Sequence, residues 1–191
     1  NKERDSGNIM KYKLIVYNSE KDTAYDYSEL VEEVTYTTNQ TGSPGKLKFS
    51  YIEKEKINMT EGAQIQFYVD GEKIFLGYVF IIEKDRWGVV EVTAYDQIRY
   101  LKANASYSFI GMTVGQIIQR IAADFGLTVG EIENTGYAIP SLTKEDKSCL
   151  DIIEYALDLT LINTGRTYVF YDDFGKLCLK EAANLKNEVV L

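Results

Sequence analysis

Hydrophobic and polar residues alternate along several short segments in the first hundred residues of this chain. Between residues 64 and 69, Ile65, Phe67 and Val69 are separated by Gln66 and Tyr68, which is the two-residue period of a half-buried strand. Similar patterns predict strands at residues 11–18, 27–38, 46–51 and 89–95, and a long β-rich segment follows residue 71. About six strands joined by short turns predict a β-sandwich or β-barrel.

Turn residues separate these segments. Asp70-Gly71 predicts a tight hairpin turn, because both residues tolerate the positive φ that such turns require. A second turn is predicted at residues 85–88, and residues 39–45, with the sequence NQTGSPG, predict a loop. Three consecutive antiparallel strands are therefore expected between residues 64 and 95.

After residue 104 the apolar residues recur at helical instead of strand spacing, and two helices are predicted there. Thr113 and Gln116 have the spacing of a capping box, apolar residues follow at helical intervals to Phe125, and Gly126 is placed to end the helix. A second helix is expected from near Ser148 to Gly165, and its apolar residues on several sides predict substantial burial. Three residues of the first helix are expected to face three of the second or the adjacent sheet: Ile117, Ile121 and Phe125 with Leu150, Ile153 and Leu157.

The remaining segments are short. Residues 127–140 are expected to be irregular with a short strand at 129–132, and residues 167–171 and 177–180 are expected to form a hairpin. The sequence therefore predicts an α+β fold: an antiparallel β-barrel-like domain with an inserted or appended two-helix α/β unit. The expected division is a leader or expression remnant at 1–10, the barrel at 11–104, the α/β unit at 105–183, and the start of a further, truncated segment at 184–191.

Charge and hydropathy limit the classes of ligand. The 191 residues carry a formal net charge of −8, so neither a phosphate backbone nor an anionic membrane surface is an expected ligand. No apolar segment approaches the roughly 20 residues needed to span a bilayer. Residues 1–10 lack the apolar core of a signal peptide.

The chain contains no histidine, which removes the commonest general base and metal ligand. Four acidic pairs are candidates for catalytic carboxylates: Glu32-Glu33, Glu53 with Glu55, Glu131 with Glu133, and Asp172-Asp173. Each is more simply explained by exposed charge or a turn, and Asp96 by capping of the turn at 97–101. We therefore predict no catalytic residue, no metal site and no cofactor.

Aromatic residues are numerous, with 15 tyrosines and a single tryptophan, Trp87, at a predicted hairpin tip. Exposed rings could stack on sugars or contact another protein, and a protein contact at Trp87 is the favoured interpretation.

A series of short motifs occurs in an order that resembles a known family. The motifs are Gly71, Gly77, residues 93–96 (TAYD), 100–101 (YL), 113–117 (TVGQI), 124–127 (DFGL), 148–153 (SCLDII), 164–165 (TG) and 175–177 (GKL). Together they resemble the XkdQ-type proteins of PBSX-like phage elements, which belong with the baseplate hub proteins that include late control protein D.

The resemblance implies a structural hub component of a contractile phage tail or tail-like bacteriocin that links the tail tube to the spike. It implies no enzymatic activity, partners among tube, spike and baseplate proteins, a homotrimer in the assembly, and a location in a particle assembled in the bacterial cytoplasm. Two alternatives stay open. A tail-associated cell-wall hydrolase would need a buried carboxylate pair in a cleft, and a glycan-binding module would need a row of exposed Tyr or Trp on one sheet face.

Overall fold

A computed structural model describes residues 11–18, 22–38, 43–53 and 59–185. The predicted leader at 1–10, the terminal segment after residue 185, and Glu55 lie outside these ranges. The first part contains β1 (Tyr12–Asn18), β2 (Thr23–Asp26), β3 (Val31–Thr37), β4 (Lys46–Ile52), β5 (Gln64–Val69), β6 (Glu72–Lys84), β7 (Val89–Tyr95) and a 3₁₀ helix (Gln97–Lys102). The second contains β8 (Asn104–Met112), α1 (Val114–Asp124), β9 (Val129–Ile132), β10 (Ile139–Ser148), α2 (Cys149–Thr164), β11 (Tyr168–Asp172), β12 (Leu177–Glu181) and α3 (Ala182–Leu185).

Strands β1 to β7 form one antiparallel sheet in the order β2-β1-β5-β6-β7-β4-β3. Its edge strands, β2 and β3, are joined by only four residues, so the sheet curls into a half-barrel. The Tyr12 hydroxyl donates a hydrogen bond of 3.2 Å to the Val31 carbonyl and links β1 to the far edge. The concave side holds a core that includes Leu14, Leu47 and Ile65, each with no exposed area.

The predicted hairpins of this sheet are confirmed. Asp70 and Gly71 have φ values of 51° and 87°, as the tight turn between β5 and β6 requires. The strand predicted at residues 27–38, however, begins only at Val31, and β2 was not predicted. Tyr27 is 1% exposed and its ring lies edge-on to Tyr51 at 5.4 Å, so burial of this ring fixes a turn where the sequence suggested a strand.

Both predicted helix starts are confirmed. The Gln116 amide donates to the Thr113 hydroxyl (3.3 Å) and the Thr113 amide donates to the Gln116 side chain (2.9 Å), which completes the capping box of α1. Helix α2 begins at Ser148, whose hydroxyl accepts from the Asp151 amide, and ends at Gly165 in the left-handed conformation.

The helices share a second core with the surrounding strands, and this core includes Ile117, Ile121 and Ile153 with no exposed area. Burial is less complete than predicted at the helix ends. Phe125 is only half-buried, and Leu161 is 41% exposed, although the neighbouring Thr160 is fully buried. Among the described residues, no helix is both long and apolar enough to cross a membrane.

Strand β9 forms at the predicted residues, but it pairs in parallel with β12. Strands β8 and β10 were not predicted. They form a two-stranded ribbon that is largely exposed, so their sequences lack a sustained apolar alternation, and a register shift between Lys144 and Lys147 interrupts the pairing.

Candidate interaction surface

A cleft lies where the outer face of β6 meets the second core. It has a volume of about 290 Å³ and is bounded by the 3₁₀ helix, the C-terminal end of α1 and the β11–β12 turn. Its lining mixes aromatic, aliphatic and polar groups and contains no charged side chain: Leu76, Tyr78, Gln97, Tyr100, Phe125, Gly126, Leu127, Thr128 and Gly175. We call this feature the aromatic cleft.

The rings continue from the cleft onto the outer face of the sheet. Tyr100 lies 6.2 Å from Tyr78 and 5.5 Å from Phe80, and Phe80 lies 5.6 Å from Tyr95, measured between ring centroids. Arg99 lies over both Phe80 (5.7 Å) and Tyr95 (5.5 Å). Tyr and Arg are enriched in protein interfaces, because they combine a large contact area with polar groups.

Two polar groups determine the electrostatics of this surface, the Tyr100 hydroxyl and the Arg99 guanidinium group. Burial, together with the nearby Tyr78, raises the pKa of Tyr100 above its ordinary value. Arg99 forms no ion pair with a described carboxylate. The cleft therefore presents aromatic rings and neutral polar groups beside one guanidinium group, which suits a partner that offers an aromatic side chain next to an acid.

Gln97 holds the wall of the cleft in place. Its side-chain nitrogen donates to the Thr128 carbonyl and its oxygen accepts from the Thr128 amide, both at 3.1 Å. This pair of bonds fixes the chain after α1 against the 3₁₀ helix at the base of the cleft.

Asp96 lies behind this wall. Its carboxylate accepts from the Ile98 amide at 3.0 Å, which confirms the predicted cap, and also from the Gly45 amide at 2.7 Å. The second bond joins residues 51 positions apart and had no local signal in the sequence. Burial, with a contribution from the charge of Asp172, raises the pKa of Asp96 to about 7.

Asp172 is the second acid at this junction. One oxygen accepts from the Gly175 amide at 2.7 Å, as expected for the predicted turn, and the other is buried without a hydrogen-bond partner. Burial raises the pKa of Asp172 to about 6, although Gln97 beside it favours the charged form. Neither Asp96 nor Asp172 lines the cleft, so the pair can hold protons but does not face a substrate-sized space.

Three of the other acidic candidates, Glu53, Glu131 and Glu133, make structural contacts, whereas Glu32 and Glu33 lie exposed on β3. Glu53 pairs with Lys84, and Glu131 pairs with Lys180 at 3.3 Å. Glu133 accepts from the Glu181 amide at 2.7 Å. Across the described ranges, no group of three or more His, Cys, Asp or Glu residues is placed to hold a metal ion.

Trp87 lies in the turn between β6 and β7, where 74% of it is exposed. The Asp85 carboxylate accepts from the amides of Trp87 (2.8 Å) and Val89 (2.9 Å), so the turn that carries the ring is held by hydrogen bonds. Arg86 lies 4.9 Å from the Trp87 ring. A contact at Trp87 stays a prediction.

The partly exposed tyrosines do not follow a single strand. Five are more than a third exposed, and they lie on β1, β2, β3, the 3₁₀ helix and α2: Tyr12, Tyr25, Tyr36, Tyr100 and Tyr155. Within the described residues these tyrosines do not line up along one element, but three of them lie on strands of the same sheet, so glycan binding stays an alternative.

Two curated proteins of Bacillus subtilis (strain 168) are similar to this chain in sequence. The phage-like element PBSX protein XkdQ is 35% identical over 167 residues, which cover 84% of this chain and 50% of XkdQ. YqbQ is 34% identical over 174 residues, which cover 87% of this chain and 53% of YqbQ. The chain therefore spans about half the length of the curated relatives it matches.

Solved structures share the fold at low sequence identity. The 43 kDa tail protein of prophage MuSo2 from Shewanella oneidensis has a TM-score of 0.66 at 14% identity, covering 89% of this chain and 53% of that protein. A chain of the Francisella PdpA–VgrG complex has a TM-score of 0.51 at 14% identity, covering 96% of this chain and 34% of that one. The family described as YQBQ-like matches residues 34–191. Sequence and fold agree, and the chain belongs to the YqbQ-like family, as its resemblance to XkdQ-type proteins indicated.

Proposed function

We propose that this chain is part of a structural tail protein, and that it acts in the baseplate hub that links a contractile tail tube to its spike. The observation that carries the proposal is the match to the PBSX protein XkdQ over most of the chain. The shared fold with a prophage tail protein and with a chain of a VgrG complex supports it. A location in a phage or phage-like particle follows from the same role.

A non-enzymatic role is part of the proposal. It is supported by the positions of the acids: Glu53 is paired with Lys84, and Asp96 and Asp172 are directed to backbone amides behind the cleft wall. A glycosidase needs two carboxyl groups that face the sugar from opposite sides.

We also propose the division into a barrel at residues 11–104 and an α/β unit at 105–183. The two hydrophobic cores support such a division, since one is built from residues 14–94 and the other from residues 98–179. The 3₁₀ helix would then contribute Ile98 and Leu101 to the core of the second unit.

Co-purification tests the assembly role. The full-length protein is co-expressed with the tube and spike proteins of the same phage element. The complex is captured through a tag on the tube protein, and the mass of the complex is measured by light scattering. We expect a stable complex with both partners and a trimer of this protein within it. A full-length protein that stays monomeric and binds neither partner would contradict the proposal.

A further inference from the structure

Trp87 has the properties of an interface anchor. It is 74% exposed, and its turn is fixed by two hydrogen bonds to Asp85, so little order would be lost when it inserts into a partner. Tryptophan is among the residues that contribute most to binding energy when they fill a pocket.

Glutamates lie beside this turn on the outer face of the sheet. The strand register places Glu33 opposite Ser50, Ser50 opposite Glu91, and Glu91 opposite Glu83. These three glutamates form a row across four strands, which we call the acidic row. None of them forms an ion pair within the part of the chain that the structure describes, although Lys48 lines the same shallow groove as Glu33 and Glu91. Like charges directly opposite each other on a sheet are destabilising, so a cation on a partner molecule would reduce the repulsion within the acidic row.

The aromatic cleft at the other end of β6 has the complementary chemistry. Its rings and polar groups offer a receptor for a large aromatic side chain such as an indole, and Arg99 lies next to it with no described carboxylate partner. One molecule thus carries an anchor beside an acidic row, with Arg86 over the anchor ring, and a receptor beside Arg99.

We propose that Trp87 of one copy of this chain docks in the aromatic cleft of a second copy, with the acidic row facing Arg99. The two surfaces differ, so the contact is head to tail, and such contacts generate a ring when the rotation between copies closes. The pairing rests on the proposed assembly role and specifies which surfaces of neighbouring copies meet.

Fluorescence tests the pairing directly, because Trp87 is the only tryptophan of the 191 residues. The full-length protein is diluted over a wide concentration range while emission and sedimentation are recorded. Trp87 emission should move to shorter wavelength as copies associate and the indole leaves water. Any further tryptophan of the full-length protein is first replaced by phenylalanine, so that the emission reports Trp87 alone.

Substitutions in and beside the aromatic cleft test whether it is the receptor for Trp87. Tyr100→Ala should weaken self-association by roughly 10- to 30-fold and move the emission shift to correspondingly higher protein concentration, as expected for loss of a hot-spot contact. Tyr155→Ala is the matched control, because Tyr155 is similarly exposed (43% against 39%) but lies on α2. Arg99→Glu should also weaken association, and Glu83→Lys with Glu91→Lys should restore it.

The outcomes separate this pairing from the proposed function. Association without a change in Trp87 emission, or equal effects of Tyr100→Ala and Tyr155→Ala, would overturn the pairing. A protein that binds tube and spike proteins but whose copies never associate through these surfaces would overturn the pairing and leave the tail role intact. Failure to bind any tail partner would contradict the tail role itself.

Discussion

Replacing Asp172 with asparagine is expected to stabilise the protein by about 1–3 kcal/mol at pH 8 and by about half as much at pH 5. At pH 8 the buried carboxyl must be charged, with one oxygen unpartnered and Asp96 nearby. Asparagine can keep the oxygen that accepts from the Gly175 amide while removing that charge.

The direction of the pH dependence follows from the raised pKa values. Asp172 (about 6) and Asp96 (about 7) bind protons more tightly in the folded protein than in the unfolded chain, where aspartate has a pKa of about 3.9. Their contribution to stability is therefore fully present below about pH 4 and is lost as the pH rises towards 7. Tyr36 and Gln97 also lie close to these acids, and neither adds a positive charge.

Urea titrations of the parent and Asp172→Asn at pH 5 and pH 8 measure this effect. Glu145→Gln is the control, because it removes the same charge from an exposed side chain of β10. If the gain in the free energy of unfolding is equal at both pH values, or equal to that of the control, the buried charge of Asp172 does not destabilise the protein as described.

Ile121→Ala is expected to lower the free energy of unfolding by about 2–5 kcal/mol. Ile121 has no exposed area and lies in the second core, so its truncation leaves a cavity between α1 and the elements packed on it. Phe125→Ala, one helical turn later, should have a clearly smaller effect, because Phe125 is half-buried at the edge of the aromatic cleft.

The comparison of the two variants in urea tests how α1 is docked. If Phe125→Ala costs as much as Ile121→Ala, the end of α1 is packed more tightly than the structure indicates. If Ile121→Ala costs less than about 1 kcal/mol, α1 is not docked as described.

The sequence predicted those features whose causes are local. The capping box at Thr113, the hairpin turn at Asp70-Gly71 and the cap at Asp96 each depend on residues a few positions apart. The ribbon of β8 and β10 escaped prediction because a largely exposed pair of strands needs no apolar alternation.

The candidate site was harder to predict because its residues come from distant parts of the sequence. The aromatic cleft brings together residues from positions 76 to 175, and the bond from Gly45 to Asp96 spans 51 residues. Asp172 has the sequence context of an ordinary turn, and only the packing of the two cores against each other buries it. Burial of this kind has no signature in the neighbouring residues.

The order of strands in the curled sheet has a consequence for folding. Strands β5, β6 and β7 are joined by short turns and occupy the middle of the sheet, whereas β1 pairs with β5, and β4 with β7, across long segments of chain that contain other strands. Closing a long loop costs more chain entropy than closing a hairpin. We expect the central three strands to acquire amide protection first in pulsed hydrogen exchange, with β1 and β4 adding afterwards from opposite sides; simultaneous protection of all five would contradict this order.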